Sequence, residues 1–221
     1  MKPISRRTAL TMGGAGLAGA LIGGIGLWRE LSDPGAGASG ASGAGELIEP
    51  ETLTSSDGQL QVQLQARRDT HDVAGRPTRT MGYNGGVPGP TLRLRPGDTL
   101  RIELDNQLDQ VTNLHVHGLH VTPEGAGDNV FVAVEPGQRR QYEYRLPADH
   151  PTGVYWYHPH HHGTVADQLF AGLYGAIVVL EDDPPAVDRE RVMVVSDITL
   201  ADDGSVVSPS RMERMMGREG E

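Results

Sequence analysis

Between residues 59 and 65 the chain alternates without a break: Leu60, Val62 and Leu64 fall on one side, and Gln59, Gln61, Gln63 and Gln65 on the other. Side chains of an extended segment point to opposite faces with period two, so this run predicts a strand with one buried and one wet face. The dense Gly/Pro run at 84–90 predicts turns. Alternation resumes at 91–95, with Leu92 and Leu94 inward and Arg93 and Arg95 outward. Pro96-Gly97-Asp98 predicts a tight turn, and Leu100, Ile102 and Leu104 carry the pattern on. Together these read as a hairpin-like pair. Further runs at 141–146, 153–158, 176–181 and 191–197 predict strands, and only 166–174 predicts a short helical turn. Short strands, Pro/Gly turns and no long helix predict an all-β sandwich without internal repeats.

The ends of the chain depart from this pattern. Ser5-Arg6-Arg7-Thr8-Ala9-Leu10 resembles a twin-arginine export motif, with Ala9 where a Phe is common, and a Gly/Ala-rich apolar stretch follows to Leu27. The expectation is a signal segment, with cleavage near Ala36-Gly37-Ala38; an uncleaved membrane anchor is the alternative, weakened by the many glycines. Residues 33–45 are rich in Gly, Ala and Ser and read as a flexible linker. The expected organisation is therefore signal and linker over 1–45, a β domain over 46–200, and the start of an interdomain connection over 201–221. Met212, Met215 and Met216 in that tail could be a methionine-rich copper-handling segment; linker or loop is the plainer expectation.

Composition narrows the chemistry. The 221 residues carry a formal charge of −10, with a single lysine, Lys2, which argues against a nucleic-acid groove. There is no cysteine, which excludes disulfides, thiolate zinc sites, a cysteine nucleophile and, within this chain, a blue-copper centre. Seven of the nine histidines instead fall in two clusters, at 115–120 and 158–162. In extended backbone, residues two apart share a face, so His115 and His117 project together, as do His158 and His160. If the two segments are neighbours, four imidazoles converge. Neutral imidazole suits copper, zinc, iron and nickel, and a site without carboxylate or thiolate ligands leans to copper or zinc. A lone His-X-His also occurs in surface loops; the doubled spacing is the informative feature. Trp156 and Tyr157 provide bulky packing beside the second pair. His120 and His161 lie on the opposite parity and are not expected as ligands, and His71 and His150 have no motif around them.

The runs Gly86-Val-Pro-Gly-Pro-Thr-Leu-Arg-Leu-Arg-Pro-Gly-Asp98, Asn113-Leu-His-Val-His-Gly-Leu119 and Tyr155-Trp-Tyr-His-Pro-His-His-His-Gly163, followed by Gln168 and Gly172-Leu-Tyr-Gly175, resemble the N-terminal domain of multicopper oxidases of the laccase-like, bacterial copper oxidase type. The resemblance covers about 59–197, with the motifs in the family's order. It implies a Greek-key, cupredoxin-type (plastocyanin-like) β-sandwich. It also implies that His115 is a type 2 copper ligand and that His117, His158 and His160 are type 3 ligands. His162 matches a histidine found close to the site. Asp128 resembles the family's acidic residue between the two His pairs, which accepts hydrogen bonds or relays protons to reduced oxygen species.

The same resemblance implies that part of the family's machinery lies outside this chain. The family's trinuclear cluster has eight histidines divided between its first and last cupredoxin domains, and the last carries a His-Cys-His run that ties a type 1 copper to the cluster. This sequence holds four of the eight and no such run. It reads as the N-terminal fragment of an exported oxidase, in the periplasm, cell envelope or medium. Its partners would be O2 and a reducing substrate in the complete enzyme, with no nucleic acid and no membrane contact except through an uncleaved signal. A stand-alone copper-binding or copper-sequestering protein is the alternative. A structural relative that has lost metal is a third reading, disfavoured by retention of all four histidines.

Overall fold

The strand-forming runs are realised as two sheets in the computed structural model, which describes residues 49–73 and 75–209. The strands are β1 (Thr52–Thr54), β2 (Gln59–Val73), β3 (Arg76–Tyr83), β4 (Thr91–Leu94), β5 (Thr99–Asn106), β6 (His115–His117), β7 (Arg139–Arg145), β8 (Gly153–His158) and β9 (Gly175–Val179), with one helix, α1 (Val165–Phe170). One sheet has the order β1-β4-β9-β8-β6 and the other β3-β2-β5-β7. The expected cupredoxin-type β-sandwich is what forms. The run expected to be signal and linker, and most of the methionine-containing tail, lie outside the described residues. Among the described residues, no helix is long and apolar enough to cross a membrane.

Register follows the apolar alternation. β2 and β5 run parallel with Leu60 beside Leu100, Val62 beside Ile102 and Leu64 beside Leu104. On the far side of β5, Leu100 meets Tyr144 and Ile102 meets Tyr142 of antiparallel β7. The other sheet supplies Leu92, Leu94, Val116, Tyr157, Ile177 and Val179 to the same buried core. A one-residue slip in either sheet would turn these rows outward, so burial itself fixes the register.

Two expectations are corrected, and one strand appears that the sequence pattern did not predict. The runs 91–95 and 99–106 are not a hairpin: β4 pairs with β1 and β9, whereas β5 pairs with β2 and β7. The Pro96-Gly97-Asp98 turn is a corner between the sheets. Asp98 Oδ2 accepts hydrogen bonds from Arg95 N–H (2.7 Å) and Ser55 O–H (2.5 Å). Gly97 takes φ 85°, and its N–H donates to Pro147 O at 3.0 Å, which sends the chain towards the end of β7 instead of back along β4. Second, 191–197 is no strand: it runs as irregular chain with Met193 and Val195 more than four-fifths exposed. The unpredicted strand, β3, escaped the apolar pattern because two of its inward positions are Thr78 and Thr80, both buried. It pairs antiparallel with the second half of β2, Ala66 facing Tyr83. Beyond these elements, Leu200 and Val206 bridge a small turn.

The β8–β9 pairing brings a glycine and a tyrosine ring into close contact. Tyr157 faces Gly175 across the ladder, and its buried phenol donates to Pro90 O at 2.8 Å. A Cβ at Gly175 would lie 2.2 Å from Tyr157 Cζ and Oη, so no side chain fits unless the ring moves. Gly175→Ala is therefore expected to destabilise the chain by roughly 1–3 kcal/mol through overpacking. Urea denaturation checks this; an unchanged midpoint would contradict the close Tyr157–Gly175 contact.

Candidate metal centre

β6 is short and lies at the edge of its sheet, so contacts outside the ladder help to hold it. Before it, Leu114 N–H donates to the buried Tyr142 hydroxyl at 3.2 Å. Gln168 of α1, fully buried, accepts from Thr112 Oγ1 and donates to Val111 O, both at 2.8 Å. β6 then pairs antiparallel with β8 in the register His115–His158, Val116–Tyr157, His117–Trp156. Val116 and Tyr157 are buried and enter the core. By period two, His115, His117, Trp156 and His158 share the opposite, outer face of the sheet.

On that face the imidazoles crowd together. The His115 ring centroid lies 5.5 Å from that of His117, 5.2 Å from His158 and 5.1 Å from His160. One ligand nitrogen from each of His115, His117 and His158 falls within 4.8 Å of the other two. His160 lies just past the end of β8, and its position comes from Asn113. The Asn113 side chain accepts from His160 N–H at 2.6 Å and donates to Val130 O at 2.8 Å. That buried amide therefore joins the two His segments to the loop that bears Asp128.

Hydrogen bonds set the proton positions. Asp128 Oδ2 lies 2.8 Å from His115 Nδ1, and Oδ1 accepts from Val116 N–H at 3.0 Å. A carboxylate only accepts, so His115 carries its proton on Nδ1 and presents Nε2 as a lone pair. Such a carboxylate–histidine pair orients the ring and raises its basicity towards a metal. His158 Nδ1 faces Pro159 O at 2.7 Å and therefore donates, leaving Nε2 as its lone-pair atom, 3.3 Å from His117 Nδ1. Burial, reinforced by the neighbouring imidazoles His115, His117 and His160 and opposed by the Pro159 carbonyl, pulls the His158 pKa down to about 4. His158 is thus a neutral donor over most of the accessible pH range. This donor set fits a borderline cation that takes imidazole nitrogen.

The remaining histidines separate cleanly. His150 is buried and saturated: Nδ1 donates to Pro151 O at 2.8 Å, and Nε2 accepts from His120 N–H at 3.0 Å. It holds the loop after β6 in place and has no lone pair left for a metal. His71 sits on β2 opposite Thr78. His161 is half-buried, and His162 is exposed on the loop beyond His160. Sequence reasoning gave Asn113 no role and Trp156 only a packing one, although both lie in the family-like motifs; the signal was a buried-type amide and an indole beside paired histidines.

Comparison with known proteins agrees with the fold. The family pattern described as multicopper oxidase matches residues 65–184. Copper resistance protein A of Pseudomonas syringae pv. tomato is 35% identical over 92% of this chain and 30% of its own length. A metallo-oxidase of Campylobacter jejuni superposes with a TM-score of 0.52 at 30% identity, over 62% of this chain and 31% of that one. A multicopper oxidase from Pediococcus acidilactici gives 0.56 at 26% identity, over 68% and 33%. The chain belongs to the multicopper oxidase family, and its β-sandwich is the family's N-terminal cupredoxin domain. It spans about a third of the length of these relatives.

The His158 environment gives a pH signature. Its folded pKa of about 4 lies below the ordinary 6.5, so between those values the unfolded chain binds the extra proton. Stability of the metal-free chain should fall as pH drops from 6.5 towards 4, then lose this contribution no further. Across that window the wild-type urea midpoint should fall relative to that of His158→Gln, which carries no titrating ring at this position. Parallel curves would contradict a buried, neutral His158.

Proposed function

We propose that this chain is the copper-binding N-terminal part of an exported multicopper oxidase and supplies half of the ligands of a trinuclear copper centre. In this reading His115 is the type 2 ligand, and His117, His158 and His160 are type 3 ligands. Copper held there would supply the redox chemistry by which the complete enzyme reduces O2 to water with electrons from a reducing substrate. The observation that carries the proposal is the antiparallel register that sets His115 opposite His158, with Asp128 and Pro159 O holding the rings' Nδ1 protons away from the shared space. Asp128 orients His115 first; proton relay to reduced oxygen belongs to the same proposal and rests on its position beside the rings. His162 would line the approach to the centre. The division into signal and linker over 1–45, cupredoxin domain over 46–200 and connection over 201–221 is part of this reading, as is twin-arginine export to the periplasm, cell envelope or medium. The twin-arginine-like run at 5–10 supports export.

One observation favours a second reading. The 221 residues contain no cysteine and no second set of paired histidines, so the chain alone fits copper binding or sequestration without oxidase activity. The two readings share one test of the centre. The full chain should bind Cu(II), lose that binding when His115, His117, His158 and His160 are all replaced by Ala, and show no intense blue absorption, because no thiolate is available. It should consume no O2 with phenolic substrates. A blue band, or copper binding indifferent to the four replacements, would overturn the assignment of these ligands; sustained O2 consumption would overturn the half-centre.

Asp128 provides a finer check. Its two oxygens accept from two N–H groups at once. Asp128→Asn replaces one acceptor with an NH2, which turns the His115 proton to Nε2 and removes the lone pair from the shared space. Cu(II) affinity should drop by about 10- to 100-fold, the usual effect of losing such an orienting carboxylate. Calorimetric titration at equal affinity for the two chains would remove Asp128 from the centre.

A further inference from the structure

The paired segments place four side chains at the corners of a square on the outer face of the sheet, and only three of them are imidazoles. His115 and His158 face each other across the ladder, and the partner of His117 is Trp156. The indole does not simply fill this corner. Its ring stacks on His158 with centroids 4.0 Å apart and planes 24° from parallel. It also stacks on His117, at 5.0 Å and 26°. Residues two apart on a strand stand side by side about 7 Å apart along the backbone, so a 4.0 Å stack requires both rings to lean together. His117 itself is exposed, and its ring meets His158 Nε2 at 3.3 Å. His115 has Asp128 and His158 has Pro159 O as fixed partners. Among the described residues, His117 has no comparable anchor in the backbone or in a carboxylate; its orientation rests on the indole face and on the contact with His158 Nε2.

We propose that Trp156 is a positioning residue of the metal centre: a shared aromatic shelf that fixes the ring planes of His117 and His158 relative to each other. This rests on the copper-centre reading above. Stacking restricts rotation of both rings about their Cβ–Cγ bonds while leaving the nitrogen edges free, which a hydrogen bond to a ring nitrogen cannot do. The preference for aromatic over aliphatic contact follows from the offset-stacked geometry that ring pairs favour. A merely space-filling role would be met equally well by any apolar side chain of similar volume.

The test uses the full chain with one equivalent of Cu(II), comparing wild type, Trp156→Leu, Trp156→Phe and His117→Ala by calorimetric titration and by electron paramagnetic resonance. Near-ultraviolet circular dichroism and urea midpoints verify that each variant is folded. Trp156→Leu should weaken Cu(II) binding about tenfold, the order found when a group that orients a metal ligand is lost, and should broaden the copper hyperfine lines towards those of His117→Ala. Trp156→Phe, which keeps a stacking face, should recover most of the affinity and the sharper lines. Folded Trp156→Leu with wild-type affinity and spectrum overturns the proposal, as does folded Trp156→Phe that fails as fully as Trp156→Leu. Absence of Cu(II) binding by wild type is a different outcome: it overturns the copper-centre reading itself, and this inference with it.

Discussion

Two short strands, His115–His117 and Gly153–His158, pair antiparallel in a single register, and the geometry of the centre derives from that pairing. One face of it is fixed by burial: Val116 and Tyr157 are sealed in the sandwich core, and neither strand can slip by one residue without exposing them. The other face inherits its geometry from that constraint. His115, His117, Trp156 and His158 are brought together without any direct bond selecting them, because the pleat turns alternate residues outward. The hydrophobic effect thus does the positioning, and the imidazoles gather a cluster of lone pairs at the edge of a rigid sheet.

Around this pair, each local device removes one freedom. Gln168 on α1 and the Tyr142 hydroxyl hold the segment that enters β6. Asn113 links His160 to the loop carrying Asp128, so a fourth imidazole and an orienting carboxylate are set by one buried amide. Asp128 and Pro159 O then settle which nitrogen of His115 and of His158 carries the proton. Buried polar groups in such a network are costly when unpaired and specifying when satisfied. Here their satisfaction is what converts a group of histidines into a donor set with defined lone pairs.

Much of this was legible in the sequence, for identifiable reasons. Strict alternation at Leu60–Val62–Leu64 and Leu100–Ile102–Leu104 announced strands whose rows do meet in the core. The doubled His-X-His spacing announced the convergent face. What stayed hidden was whatever periodicity cannot encode. The Pro96-Gly97-Asp98 turn reads the same whether it closes a hairpin or turns a corner; Asp98 and Gly97 decide through contacts to Ser55 and Pro147, distant in sequence. β3 was silent because buried threonines stand where apolar residues would have signalled it. Apolar residues at 191–197 read as a strand but lie along irregular chain, with Met193 and Val195 exposed. In the site, Asp128 was found through its motif, but its simultaneous grip on His115 and the Val116 N–H emerged only with the fold, as did the saturation of His150 and the indole stacked on both His117 and His158.

An all-imidazole copper site on the paired strands is tested most directly by X-ray absorption at the copper edge of the full chain, loaded with one equivalent of Cu(II). The expected spectrum has a nitrogen shell with the outer-scattering pattern of rigid imidazole rings and no sulfur neighbour. A sulfur shell, as methionine binding by Met212, Met215 or Met216 would give, or an oxygen shell without imidazole scattering, would contradict it.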